Sequence, residues 1–508
     1  MNRFGRRDFL KLITTIPAGM VLSKMLPHLG TSNPALPNII VVVLDALTAR
    51  NMSLYGYPRR TTPHIERFAS RADVYHAHHS AGTFTSSGVA SLLTGTYPWS
   101  HRVINLKGLI ARDRYKRNIF NLLHPLYGSV AFTQNYFADY LLSQMGADIE
   151  HHLPISSWSE FELYAADVAH KDRSMKFRAY DDFLYAMDTP TPASLLFGTI
   201  NKHKKIVFSQ KKKEDRLQYY AYELFYNLDS VFSGLASQIT DLESPAFCYF
   251  HLYPPHGPYL PEGEFLDLFQ DGWQPIEKPI HPLPYVESYE SLNRKRTQYD
   301  QYLAMTDAAF GRFLDGMDRA GLLKNSYLLL TSDHGESFER GYFEHAGPMV
   351  YEPSVHVPLL ISAPGQTTRR DFYSVTNSVD LLPTLLKISD LETPDWSEGL
   401  VLPGFGGEVD NTRLTFSMDA KNASAFGYLT PITIAMYEGN YKLIYYQGYG
   451  GENARYHKGL FELYNLKDDP EEMQDLIDDE ADISKRLKER LLAAYNAASA
   501  PLNQIKGS

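Results

Sequence analysis

A carboxylate and an imidazole stand side by side in Asp333-His334-Gly335-Glu336, directly after an apolar run at residues 327–331. At a strand end both side chains can reach one cation, with Gly335 letting the backbone turn sharply. Alone, the tetrad reads equally well as a turn carrying a hydrogen-bonded histidine. Asp45 ends a second apolar run, residues 38–44, and alone could simply cap a following helix. Together Asp45, Asp333 and His334 supply two carboxylates and one imidazole, the donor set of a divalent-metal site. Thr85 opens the stretch Thr85-Ser86-Ser87-Gly88-Val89-Ala90-Ser91-Leu92-Leu93-Thr94-Gly95, small hydroxyl residues leading into a short apolar helix. The amino end of such a helix favours an anion, although a plain Ser/Thr cap has the same appearance. A threonine hydroxyl has a very high pKa, so its use as a nucleophile requires a cation on its oxygen. Thr85 is therefore expected to be both catalytic and a metal contact. His256, in a Pro-His-Gly-Pro turn that limits where its imidazole can point, is a further candidate catalytic residue, unless it is only a surface-loop histidine. His345 is a second candidate contact. His101 is expected to pack against the helix that follows Thr85, and His78 and His79 carry weaker signals.

Residues 38–44, 246–252 and 327–331 are mostly β-branched or apolar, the pattern of strands buried on both faces of a parallel sheet. A helix is expected over residues 299–319, where Leu303, Phe310, Phe313, Leu314 and Met317 share one face. Alternating strands and helices give an α/β fold with a mostly parallel central sheet flanked by helices, whose ligands bind beyond the carboxyl ends of the strands. Asp45, His256 and Asp333 all follow such ends. Further along, a helix is expected near residues 380–387, then strands at 431–436, 441–446 and 460–466. A terminal helix carries Ile483, Leu487 and Leu491. These last elements make a small carboxy-terminal α+β subdomain at 401–508, after a main α/β domain at 36–400 with a divergent insert near 140–240. A basic run at 202–213 inside that insert reads as a solvated face.

The chain has 508 residues, 44% of them hydrophobic and 21% charged, which describes a folded body and not a disordered one. Its formal net charge of −10 argues against general nucleic-acid binding. A lone cysteine, Cys248, excludes an intrachain disulfide and a cysteine zinc cage. Arg6-Arg7-Asp8-Phe9-Leu10-Lys11 precedes a modest apolar stretch broken by Pro17 and Gly19. Residues 1–35 therefore look like a Tat-type signal, with the protein exported to the periplasm or the extracytoplasmic cell surface. The leader also allows membrane proximity.

The order of Asp45 after its strand, Thr85 through Gly95, Pro255-His256-Gly257-Pro258-Tyr259 and Thr331-Ser332-Asp333-His334-Gly335-Glu336 resembles the sulfatase family of the alkaline phosphatase superfamily. The resemblance continues through Val357-Pro358-Leu359-Leu360, Asp380-Leu381-Leu382-Pro383-Thr384 and Leu463-Tyr464-Asn465-Leu466-Lys467-Asp468-Asp469-Pro470-Glu471. It implies the superfamily's α/β fold and one divalent metal ion: Zn²⁺, Mn²⁺, Mg²⁺ or, by family habit, Ca²⁺. This sequence departs from the sulfatase pattern where that family's chemistry lies. Thr85 stands where those enzymes carry the Cys or Ser that becomes formylglycine, with Ser87 and Val89 in place of Pro and Arg. Asp45-Ala46 replaces a pair of aspartates, and no lysine follows His345 at the expected place. Threonine nucleophiles belong to related branches, the phosphodiesterases, phosphoethanolamine transferases and lipoteichoic-acid synthases.

The expected activity is accordingly metal-dependent hydrolysis or transfer of phosphate esters through a covalent Thr85 intermediate. Expected substrates are a phosphorylated or sulfated glycan, a lipid head group or a small ester. Two alternatives remain: a sulfatase working without formylglycine, and a non-catalytic homologue that binds anionic glycans.

Overall fold

The computed structural model describes residues 36–111, 113–161, 218–221, 224–242, 245–283, 286–425, 427–449 and 459–498. The expected leader, the basic run at 202–213 and residues 162–217 of the insert lie outside the described residues. Eight strands form the central sheet: β1 (Asn38–Leu44), β2 (Asp73–Tyr75), β3 (Gly128–Thr133), β4 (His151–His152), β5 (Ala246–Leu252), β6 (Ser326–Thr331), β7 (Leu359–Ser362) and β8 (Arg370–Phe372). Their spatial order is β8-β2-β7-β6-β1-β5-β3-β4. β1 pairs in parallel with β5 and β6, and β3 in parallel with β5 and β4; β7 alone runs antiparallel to its neighbours β6 and β2. The mostly parallel sheet expected from the alternating runs is present.

β1 is apolar at every position after Asn38 because both its faces are covered. Ile40, Val42 and Leu44 share a cluster with Leu303, Phe310 and Leu314, while Ile39, Val41 and Val43 are buried on the opposite face. The helices used below are α1 (Pro63–Ala69), α2 (Thr85–Thr94), α3 (Tyr136–Gln144), α4 (Leu228–Thr240), α5 (Tyr289–Arg319), α6 (Leu381–Ile388) and α7 (Ala481–Ala498). α5 packs against α1 and α4, and α2 against α3 and α6. α5 starts ten residues earlier than its apolar stripe suggested. Ser288 caps it, and of residues 289–298 only Leu292 is buried, so no periodic signal marks this first part.

A second, antiparallel sheet is made by β9 (Thr415–Asp419), β10 (Ile432–Glu438), β11 (Tyr441–Gln447) and β12 (Leu460–Asn465). Alternation along β10 explains its two covered faces. Ile432, Ile434 and Met436 join Leu487 and Leu491 of α7, whereas Ala435 and Tyr437 pack on Tyr351 and Val355. β9 was not among the expected strands. Its sequence, Thr-Phe-Ser-Met-Asp, is short and carries only two large apolar residues.

Asp307 on α5 joins that helix to α1 by accepting from the backbone amides of His64 and Ile65 at 2.9 and 2.8 Å. Burial pushes its carboxyl up to about 7, against the pull of those two amides. A folded-state value above the unfolded one means that the native state holds the extra proton, so this group's contribution is full below the unfolded pKa. It is lost as pH rises through about 7. Melting curves from pH 4 to 8 should therefore show a smaller loss of stability with rising pH in Asp307→Asn than in the native chain; equal slopes would remove Asp307 from the account.

Candidate catalytic and metal site

The parallel register brings four strand ends together. Val43 of β1 lies opposite His251 of β5 on one side and Thr331 of β6 on the other, and Thr133 of β3 lies opposite His251. Asp45, Asp333 and His334 therefore leave the sheet at one edge, and all three are fully buried. The Asp45 amide donates to the Leu252 carbonyl at 2.9 Å. Ser332 Oγ lies 2.6 Å from the Leu44 carbonyl oxygen and 2.7 Å from that of His334, and accepts from the Leu47 amide at 2.9 Å. These bonds set the spacing of the two aspartates.

Thr85 is the first residue of α2, behind Phe84, which has no side chain able to cap. Its hydroxyl is thus not engaged as an N-cap and points at the strand ends, with Oγ1 3.4 Å from His334 Nε2. Gly88, one turn further on, sits directly over the Asp333 backbone: a Cβ there would lie 2.1 Å from the Asp333 carbonyl oxygen. That close approach brings the helix start to the carboxylates. Gly335 plays a similar part and not the sharp turn expected of it. A Cβ there would lie 2.1 Å from the Pro353 carbonyl oxygen, so the glycine serves close packing of two backbones.

The donor set fits a divalent cation. His334 Nδ1–H donates to the Gly335 carbonyl at 2.9 Å, leaving the Nε2 lone pair toward Asp45 Oδ1 at 3.3 Å and Asp333 Oδ2 at 3.6 Å. Asp45 Oδ1 and Asp333 Oδ2 are buried oxygens with no hydrogen-bond partner. One donor atom from each of Asp45, Asp333 and His334 can be chosen so that all lie within 4.8 Å of one another. Buried carboxylate oxygens turned toward each other and left unpaired are costly unless a positive charge joins them. In the protein alone, burial opposes charging of His334, but Asp333 and Asp45 outweigh it and push the imidazole up to about 9. Burial likewise opposes the Asp45 charge, yet the surrounding His256, His251 and His334 hold it well below the usual carboxylate range. The same residues that attract a proton here would attract a metal.

His256 and His345 face this centre from a second layer. The His256 ring lies 6.4 Å from that of His334 and 4.8 Å from that of His345, and the His345 ring is 4.2 Å from that of His334. His256 Nδ1–H donates to the Gly257 carbonyl at 2.7 Å, so its Nε2 stays clear of that bond. His345 Nδ1 is 3.0 Å from Glu336 Oε1, and Tyr259 donates its hydroxyl to Glu336 Oε2 at 2.9 Å. Glu344 and Ala346, on either side of His345, both have positive φ, 82° and 60°. This sparsely populated backbone is held by the Ala346 amide on the Thr83 carbonyl and by Tyr342 on the His345 carbonyl. All six candidate residues converge. His101 instead sits under α2, with Nε2 2.9 Å from Ser91 Oγ and Nδ1 accepting from the Val103 amide. His79 pairs with Glu352, and His78 Nδ1 lies 3.0 Å from Thr376 Oγ1.

Two residues of the centre escaped sequence reasoning. Asn135 Nδ2 donates to Asp45 Oδ2 at 2.5 Å and to Thr85 Oγ1 at 3.0 Å, while its Oδ1 caps α3 by accepting from the amides of Phe137 and Ala138. Its signal was the apolar run Val130-Ala131-Phe132, which ends three residues upstream at an unread strand end. His251 is fully buried on β5, with Nε2 3.4 Å from Asp45 Oδ2 and 3.6 Å from Asp333 Oδ2. A histidine inside the run Ala-Phe-Cys-Tyr-Phe-His-Leu was the cue for it.

The family model described as Sulfatase matches residues 37–391. The chain belongs to the sulfatase family. A second model, N-sulphoglucosamine sulphohydrolase, C-terminal, matches residues 338–497, which include the whole antiparallel sheet and all but the last residue of α7. Among sulfatase relatives, the ulvan-active sulfatase of Formosa agariphila is 24% identical over 371 residues, 72% of this chain and 64% of that protein. Arylsulfatase K of Xenopus laevis is 27% identical over 206 residues, 35% of this chain and 38% of that protein. The chain thus spans less than two thirds of the length of either relative. The crystal structure of the phosphonate monoester hydrolase of Agrobacterium radiobacter shares the fold, with a TM-score of 0.65 at 17% identity over 91% of this chain and 96% of that one. Ala46, directly after Asp45, has a positive φ of 59°.

Proposed function

We propose that this chain is a metal-dependent hydrolase or transferase of anionic esters in which Thr85 is the nucleophile. The observation that carries the reading is the position of Thr85 Oγ1, between Asn135 Nδ2 at 3.0 Å and His334 Nε2 at 3.4 Å, beside two buried carboxylates. Asp45, Asp333 and His334 would hold the cation, with Thr85 as a further oxygen donor. Such an ion lowers the pKa of a hydroxyl and neutralises charge on a non-bridging oxygen of the ester. Asn135 supplies a hydrogen bond to the attacking oxygen and keeps Asp45 oriented. Thr85 Oγ1 gives up its proton to solvent water and attacks, forming the ester bond to the enzyme as the bond to the leaving oxygen breaks; water or an acceptor alcohol then displaces Thr85 Oγ1, which takes back a proton. His256 and His345 serve the departing group, one by donating a proton to its oxygen and one by holding a non-bridging oxygen. Glu336 fixes which nitrogen of His345 faces outward.

A threonine has no aldehyde hydrate to offer, so phosphoryl or phosphonyl transfer is the leading reaction and sulfate transfer the second. The second reading draws support from the sulfate-ester relatives named above. A panel of 4-nitrophenyl phosphate, phosphodiester, phosphonate and sulfate esters, run with added Zn²⁺, Mn²⁺, Mg²⁺ or Ca²⁺, separates them. Turnover is expected on a phosphorus ester. Turnover of the sulfate alone would make this a formylglycine-independent sulfatase, and no turnover with no metal uptake would make it a binding homologue. The twin-arginine leader supports action outside the cytoplasm. Among the described residues no helix is long and apolar enough to cross a membrane.

A further inference from the structure

β5 lies between β1 and β3, is buried at every position, and carries a histidine one residue before its end. The ring of His251 is fully buried, and neither of its nitrogens has a hydrogen-bond partner. An imidazole held this way is costly unless something other than a hydrogen bond engages it. Its Nε2 faces the two aspartates, 3.4 Å from Asp45 Oδ2 and 3.6 Å from Asp333 Oδ2. His334 Nε2 stands in the same relation to them, 3.3 Å from Asp45 Oδ1 and 3.6 Å from Asp333 Oδ2. Ligands bonded at about 2.1 Å to one tetrahedral cation stand about 3.4 Å apart. Both imidazoles are therefore at the separations expected of donors around one ion.

The oxygens at this centre are mostly committed elsewhere. The amides of Ala46 and His334 occupy Asp333 Oδ1, which leaves Oδ2. Asn135 occupies Asp45 Oδ2 through its Nδ2 and uses its own Oδ1 to cap α3, so it offers the centre no acceptor. Ala46 has no side-chain oxygen at all. Asp45 Oδ1, Asp333 Oδ2 and Thr85 Oγ1 remain, beside the two imidazole nitrogens. Ca²⁺ takes roughly six to eight oxygen ligands, and Mg²⁺ also prefers a shell of oxygens. A short set of imidazole and carboxylate donors suits Zn²⁺ instead.

We propose that His251 is a ligand of the cation, and that the pair of imidazoles makes the centre select Zn²⁺ over Ca²⁺ and Mg²⁺. The second imidazole comes from within the sheet and not from a loop, so it is held in place before any ion arrives. The proposal deepens the metal-dependent reading above and rests on it, but metal binding is measured without turnover, so the two can fail separately.

The test begins with the full chain stripped by a chelator and titrated with Zn²⁺, Mg²⁺ and Ca²⁺ against a chromogenic competitor. Zn²⁺ is expected to bind at least about 10³-fold more tightly than either of the others. His251→Phe fills the ring's volume without a donor atom; it should lose about 100-fold or more in Zn²⁺ affinity and less than about 3-fold in Ca²⁺ affinity. Pulsed EPR of the Cu²⁺-loaded chain counts the bound imidazoles, with two expected in the native protein and one in His251→Phe. His256→Ala and His345→Ala should each keep two, which identifies His251 by exclusion even where His251→Phe folds poorly. A single bound imidazole in the native chain, a count that falls in either of those two variants, or unchanged Zn²⁺ affinity in folded His251→Phe overturns the ligand. Ca²⁺ or Mg²⁺ bound as tightly as Zn²⁺ overturns the selectivity. Two bound imidazoles and tight Zn²⁺ with no turnover on the ester panel would leave His251 standing and sink the catalytic reading.

Discussion

Thr85→Ala is expected to lower turnover by at least about 10³-fold while leaving the protein folded, since removal of a covalent nucleophile leaves only binding and electrostatics. The substitution deletes a methyl and a hydroxyl whose polar partners are Asn135 and His334. Neither contact holds the fold, because α2 is anchored by Ala90, Leu92 and Leu93, all buried, and by the Gly88 contact with Asp333. A loss of no more than about 1–2 kcal/mol of stability is expected for such a change. Thr85→Ser retains the hydroxyl and should restore part of the rate. Turnover on the phosphorus ester, a melting curve and mass spectrometry of the quenched native enzyme for phosphothreonine together decide the matter. Full activity in Thr85→Ala would move the nucleophile elsewhere.

Asp333→Asn carries the second large effect. Asp333 is the hub of the centre: Oδ1 accepts from the amides of Ala46 and His334, at 3.4 and 3.1 Å, and Oδ2 lies 3.6 Å from both His251 Nε2 and His334 Nε2. Asparagine can keep the backbone contacts at Oδ1 and lose the charged oxygen. Bound metal should drop below stoichiometric amounts, with affinity reduced by about 100-fold or more, since even altered partners of ligands cost 10–100-fold. Activity should fall with it and return only partly at high metal concentration. Elemental analysis and a competition titration with a chromogenic chelator give the readout. Unchanged metal content in this variant would take Asp333 out of the ligand set.

The sequence exposed the parts of the site that sit next to long apolar runs. Asp45, Asp333 and His334 follow strands buried on both faces, where an apolar stretch closing on a carboxylate is hard to mistake. Thr85 was legible through the run of small residues that lets α2 approach a backbone. Asn135 was not, because β3 opens with Gly128 and Ser129 and leaves only Val130-Ala131-Phe132 as its apolar run. His251 was hidden for another reason: inside a strand, periodicity gives no sign of which polar residue faces a partner. The early turns of α5 were silent because a helix that lies over a wet groove carries no apolar stripe.

The bond between Ser332 Oγ and the Leu44 carbonyl oxygen joins positions 288 apart in the chain. Loop closure of that length comes late in folding, after local helices and hairpins have formed. A nascent chain that has not yet reached residue 326 has no place for the cation, whatever else has already collapsed. Capture of the proposed cation would thus be a checkpoint on the finished topology: it would report that the three middle strands have found their register.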